Sequence, residues 1–329
     1  MYWLFIVHAY KGRMVVSVCF RSSIFAGAAA AVGLWALSLG GAQASDVVMP
    51  AKDDAVNAQL PQEVKDRGQI RIVSTFGYAP QQFFAEDGKT PDGLSVDLGK
   101  ALGAVAGVPV EFTNATFDSL IPGLDAGRFD MVIAAMSATA ERGAKVNFVI
   151  YQKTDARLLV RAGNPKGING LQDLCGLKVA SLKGSLYNQV IDAVSAKCKE
   201  AGKEPVDLST YDNSDSVYQA LIAGRVDANY RDSAPLIYTA RASEGRLEVV
   251  GPEYPDTPYG IAIAGKNADF AKAMTAALDV LIKNGTYQAI LDKWGLGSRA
   301  VGAATLTAVG SPADSYPRPP SAVEIAFGK

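Results

Sequence analysis

The chain has 329 residues, with 32 lysines and arginines against 33 aspartates and glutamates, three cysteines and one histidine, His8. A near-neutral chain with no basic block argues against nucleic acid as a partner. His8 lies in a segment that reads as a removable leader, so the mature chain has no imidazole. That excludes serine–histidine and cysteine–histidine hydrolases and histidine-ligated metal centres, and points to binding without chemistry.

Residues 24–40 are an uncharged apolar run, preceded by Lys11, Arg13 and Arg21 and followed by Ala42-Gln43-Ala44. This is the order of a secretory signal peptide, which places residues 1–44 in a leader cleaved after Ala44. The alternative is an uncleaved anchor, since the run is nearly long enough to span a bilayer. A second apolar stretch at 2–10 lengthens the leader, and Met14 is an alternative start. Export leaves Cys175 and Cys198 as the mature thiols, to be read as one disulfide or as two free buried thiols. A zinc site lacks the ligands to complete it, and no cofactor is expected.

Beyond the leader, no apolar run is long enough to cross a membrane. Residues 69–74 are a β-branched run. Leu94, Leu98, Ala101, Leu102 and Val105 recur at helical spacing. Val110 and Phe112 alternate as in a strand. Residues 117–126 read as a short helix with Pro122 near its first turn, and 129–135 as a buried strand. The rhythm restarts at Leu177, with the strand LKVASL, a helix over 186–199, a strand near Leu208, a helix over 217–223 and the strand VDANY. Two successive βαβαβ blocks imply two α/β lobes, each with a mainly parallel sheet. Residues 254–259 are rich in proline and turn formers. The strand YGIAIAG follows, then helices over 268–283 and 287–294, with a stop and restart at Lys283-Asn284-Gly285-Thr286. Pro312, Pro317, Pro319 and Pro320 make the terminus read as a flexible tail.

Several segments, taken in order, carry a resemblance. They are IRIVST, the turn Phe76-Gly77-Tyr78-Ala79-Pro80, DGLSVDLGKALG, FDSLIPGLDAGRFDMVIAAMSATAER, YNQVIDAVSAKC, ALIAGRVDANYRD, and PYGIAIAGKN with IKNGTYQAILDKWG. Over about 69–295 the chain resembles the family-3 solute-binding proteins of bacterial ABC importers, which capture polar amino acids and opines. The resemblance implies an α/β, two-lobed periplasmic-binding-protein fold of type II, with two mainly parallel sheets joined by two hinge crossings. Those crossings are expected near 151–158 and 252–259. Lobe one would take 45–155 and 254–298, lobe two 156–253, and the tail 299–329.

The resemblance also implies a site. Arg142 would clamp a ligand carboxylate, as arginine's planar fork suits, with Ser137 adding a donor and Thr139 capping the helix start. Asp232 would take the ligand ammonium, although its place also suits a helix N-cap. Gly184 and Ser185 would present backbone N–H groups to the carboxylate. Tyr78 and Phe117 would wall the ligand side chain, with Phe76 contributing; core packing is the alternative. Thr75 stands where many such proteins carry aspartate, which disfavours a cationic side chain. Arg231, if it reaches the ligand, favours an acidic or amide one.

The function implied is a monomeric periplasmic receptor that closes on an amino acid and presents it to an ABC permease. Two alternatives remain at this stage: a carboxylate-dependent lyase or dehydratase on the same scaffold, and a ligand sensor for a membrane receptor.

Overall fold

The computed structural model describes residues 9–10, 13–14, 47–316 and 321–328. In the N-terminal segment β1 (Ala9–Tyr10) pairs antiparallel with β2 (Arg13–Met14). The expected signal peptide and its cleavage point otherwise lie outside the described residues. No helix among the described residues is long and apolar enough to cross a membrane.

Lobe one opens with α1 (Asp54–Ala58), capped by the Asp53 carboxylate, and α2 (Gln62–Arg67). Strand β3 (Ile70–Ser74) follows, then the short pair β4 (Phe83–Phe84) and β5 (Pro91–Asp92). Helix α3 (Leu94–Ala106) buries Leu94, Leu98, Ala101, Leu102 and Val105, the stripe its spacing predicts. Gly99 lets α3 lie close on the sheet: a Cβ there would sit 2.8 Å from Ile72 and 2.7 Å from the Phe112 ring. Strand β6 (Val110–Asn114) is followed by a single 3-10 turn, so α4 (Leu120–Asp125) starts three residues later than the sequence suggests. Next come β7 (Met131–Val132), α5 (Ala140–Gly143) and the long β8 (Val146–Arg161).

Lobe two repeats the pattern with β9 (Lys178–Leu182), α6 (Leu186–Glu200), β10 (Asp207–Tyr211), α7 (Ser214–Ile222), β11 (Ala228–Asp232) and α8 (Ser233–Ala242). The chain returns through β12 (Leu247–Ala264) to α9 (Ala268–Lys283) and α10 (Thr286–Lys293) on lobe one. The strand order is β10-β9-β11-β8-β12-β7-β3-β6. Two parallel groups, β6-β3-β7 and β10-β9-β11, therefore flank the antiparallel pair β8–β12. Each group carries an apolar core on both faces, which makes each lobe a doubly covered α/β layer.

The β8–β12 pair runs through both lobes. Its register slips between Val250 and Tyr254 and again between Asp256 and Gly260. Opposite these slips Lys153 is exposed and Thr154 and Asp155 are half-buried, so the middle of β8 belongs to neither core. The two sheets thus share one interrupted antiparallel ladder.

Cys175 and Cys198 form a disulfide, with 5.5 Å between their Cα atoms. It ties the turn before β9 to the last turns of α6. Replacing both cysteines with serine is expected to cost about 3 kcal/mol of unfolding free energy in the chain-entropy model. Denaturant titration measures this, and thiol alkylation of the unreduced mature protein should label neither position.

The expectation of a flexible tail over 299–329 fails for the described residues. β13 (Thr305–Thr307) pairs antiparallel with β8, setting Leu306 opposite Val149. The Val309 N–H donates to Asn147 Oδ1 at 3.0 Å. Tyr316 is buried in the lobe-one core with Leu120 and Phe148. Helix α11 (Ala322–Phe327) lays Ala322 and Val323 into the lobe-two core beside Leu174 and Cys198. Proline-rich composition hid a few well-spaced anchors, and each anchor docks on a surface that only the folded lobes create. Residues 317–320, including three of the four prolines, lie outside the described residues.

Candidate functional site

A narrow cavity lies between the lobes, at the C-terminal ends of β3, β6, β7, β9 and β11. Open parallel sheets place ligands at this edge, because chain turns and helix N-termini converge there. Of the residues nominated from sequence, Thr75, Tyr78, Phe117, Ser137, Arg142 and Ser185 line the cavity.

Arg142 sits on α5, whose start is fixed by Thr139: its side-chain oxygen accepts from the Arg142 backbone N–H at 3.3 Å. The guanidinium Nη1 donates to the Ser137 carbonyl oxygen at 2.9 Å, and Nη2 donates across to the Gly184 carbonyl oxygen of lobe two at 3.0 Å. Its carbon lies 5.4 Å from the Phe117 ring centre. Two of its N–H groups are thus engaged, leaving three of the guanidinium's five donors. Burial lowers its pKa from the ordinary value.

The cavity wall beside Ser137 contains a strained turn. Ala135 has φ +49, a region that non-glycine residues rarely occupy. The β7 ladder ends at Val132, earlier than the sequence suggests, and beyond the turn the chain makes a single bridge from Ser137 to Tyr259.

Four nominated residues do not line the cavity. Phe76 turns the other way and stacks on Phe84 at 4.6 Å, within a separate surface groove. Thr139 acts through the helix cap. Gly184 stands behind the cavity in a left-handed turn, and its carbonyl rather than its N–H meets Arg142. Asp232 is fully buried behind the wall. Both carboxylate oxygens lack a hydrogen-bond partner, and Oδ1 lies 3.6 Å from Arg299 Nη1. It makes no side-chain cap to α8, although it occupies the cap position. Burial pushes its pKa up to about 7 despite the nearby Arg299. Its charge bears on the cavity tyrosines Tyr78, Tyr187 and Tyr259, raising their pKa values beyond the larger effect of burial.

Several wall residues carried no clear sequence signal. Gln82 is buried and accepts from Ser95 Oγ at 2.9 Å. Tyr187, in the first turn of α6, donates its hydroxyl to Asp256 at 2.7 Å. Arg299 pairs with Asp155 at 2.7 Å as well as facing Asp232, so the segment read as a tail supplies a charged group beside the site. Arg231 does line the cavity, 5 % exposed, with its guanidinium carbon 4.0 Å from the Tyr78 ring centre. No group of three or more potential metal ligands occurs among the described residues.

Residues 70–297 match the family model described as bacterial extracellular solute-binding proteins, family 3. The L-arginine-binding protein of Pseudomonas aeruginosa is 32% identical over 71% of this chain and 90% of its own length. The L-cystine-binding protein TcyJ of Escherichia coli K12 is 30% identical, over 71% and 85%. Among solved structures, an ancestral arginine-binding protein bound to arginine superposes with a TM-score of 0.64 at 35% identity, covering 69% of this chain and 98% of its own. An ancestral amino acid-binding protein described as a precursor of cyclohexadienyl dehydratase gives 0.64 at 30% identity, over 71% and 98%.

Proposed function

This chain belongs to the bacterial extracellular solute-binding proteins of family 3, and from that premise we propose how it captures an amino acid for an ABC importer. The observation that carries the reading is Arg142, whose fork faces an interlobe cavity and already reaches from one lobe to the other. A carboxylate matches that fork better than a single carbonyl does, because two parallel charge-assisted bonds form at once. In the ligand complex the α-carboxylate takes the place of the Gly184 carbonyl at Nη2. Ser137 and the Ser185 helix start complete its shell.

The ammonium is assigned to Asp232, the buried carboxylate with unmatched oxygens. It reaches this group by rearrangement of the Asp232–Arg299 contact as the lobes settle on the ligand. Tyr78 and Phe117 enclose the side chain. The hinge is assigned to the slipped stretch of β12 and its partner segment in β8, where residues belong to neither core. A ligand that contacts both lobes binds the closed form better and so shifts the population toward it. The closed monomer then presents the amino acid to the membrane permease in the periplasm, after loss of residues 1–44.

The protein is read as a receptor and not an enzyme. No aspartate, glutamate or histidine lines the cavity, and Asp232, which the ligand ammonium would engage, is then held as its counter-charge and not as a proton donor. A general acid must reach the reacting atom within hydrogen-bond distance.

Thermal unfolding of the mature protein against the common amino acids tests the reading. A cognate amino acid at a hundredfold excess over Kd should add about 2.7 kcal/mol. No concentration-dependent shift with any amino acid would overturn it.

A further inference from the structure

The cavity wall carries two arginines, Arg142 and Arg231, and no aspartate or glutamate. Resting on the amino-acid-capture reading above, we propose that Arg231 selects a ligand whose side chain is itself anionic, so that the preferred substrate is an acidic amino acid.

Arg231 is buried at 5 % exposure, yet among the described residues it makes no ion pair. Its side chain makes one hydrogen bond there, from Nη1 to Ser214 Oγ at 3.1 Å. The guanidinium also lies over the π face of Tyr78, at 4.0 Å. A ring face attracts a guanidinium but supplies no acceptor for its N–H groups. Asp232, the next residue on β11, makes no ion pair with it: successive strand side chains point to opposite sides, and Asp232 faces Arg299. Thr75, on the same wall, is uncharged and spends its hydroxyl on the Ala115 carbonyl at 2.9 Å.

The remaining donors of Arg231 open to the cavity, and a guanidinium largely withdrawn from water is favoured by an anion that joins it there. An amino acid with a side-chain carboxylate supplies that anion while its α-carboxylate engages Arg142. A cationic side chain would instead enter a dry space beside two fixed positive charges and opposite no acid on the wall. A neutral side chain would leave donors of Arg231 unmatched. The aromatic face of Tyr78, which would otherwise be open to a ligand cation, is already covered by Arg231.

Calorimetry of the mature protein with L-glutamate, L-aspartate, L-glutamine, L-arginine and L-cystine tests the assignment. At least one acidic amino acid should bind tenfold or more tighter than glutamine, and arginine should bind weakest. In Arg231→Met the ratio of acidic to amide affinity should fall at least tenfold. In Arg231→Lys, which keeps the charge but not the fork, it should fall by less. The wild-type panel stands without either variant if they fail to fold. Arginine, cystine or glutamine binding as tightly as the best acidic ligand would overturn this inference and leave amino-acid capture intact. Failure of every amino acid to bind would instead overturn the capture reading itself.

Discussion

Replacing Arg142 with lysine is expected to cost about 2–5 kcal/mol of amino-acid binding, although the charge is kept. The guanidinium holds the Ser137 carbonyl with one nitrogen and offers the other toward lobe two, at 2.9 and 3.0 Å. An ammonium is a point charge on a flexible stem and cannot keep the first contact while presenting a planar pair of donors to a carboxylate. The loss should appear mainly as faster dissociation, since the pair is desolvated when the lobes meet. Calorimetry and stopped-flow dissociation measure both. An unchanged Kd would remove Arg142 from the site.

Asp232→Asn is expected to weaken binding by a similar amount, on the order of 2–5 kcal/mol, because the ligand ammonium would be left in a dry cleft without its counter-charge. A ligand lacking the α-amine should lose affinity for the wild type and be penalised much less by the substitution. The same residue gives a pH dependence with a definite sign. With the lobes together, burial pushes the Asp232 pKa from 3.8 up to about 7. In an opened or unfolded chain a solvated carboxyl keeps its ordinary value. Closure without ligand therefore takes up a proton between these two values. Its contribution is full below about 3.8 and is lost as pH rises through about 7, at roughly 1.4 kcal/mol per unit. Small-angle scattering of the ligand-free protein should show a more compact particle near pH 5 than near pH 8. Saturating ligand should abolish the difference, because its ammonium supplies the charge the proton supplied. Asp232→Asn should show no pH response over this range. A wild-type particle of equal size at both pH values, with undiminished affinity in the variant, would assign Asp232 a purely structural role.

The legible parts of the fold were those written in short-range pattern. The stripe Leu94, Leu98, Ala101, Leu102 and Val105 specifies a buried helix whatever it packs on, and α3 forms there. The restart of strand–helix rhythm at Leu177 reads as a second lobe for the same reason. The length of β8 and β12 was not legible. Their middle residues alternate poorly, and only pairing with each other keeps them extended.

At the site, adjacent residues separated according to side-chain direction. Thr75 faces the cavity while Phe76 stacks on Phe84; Arg231 lines the wall while Asp232 turns to Arg299. A one-residue difference in a strand changes the face presented, and composition is blind to it. The tail failed as an expectation because Leu306, Tyr316, Ala322 and Val323 are too sparse to form a period, yet each meets a prepared surface.

By itself the sequence determined the two-lobed α/β class and the place of the longer helices, such as α3, α6 and α9, since these depend on patterns within a dozen or so neighbouring residues. The tertiary structure alone decided which of the nominated residues share one cavity. Arg142 meets Gly184 across 42 positions of chain, Tyr78 meets Arg231 across the lobes, and Arg299 comes back from the terminus to face Asp232. Such contacts are set by the stacking of strands into one sheet edge and by the burial of charge between two lobes, and no local stretch of the chain contains either.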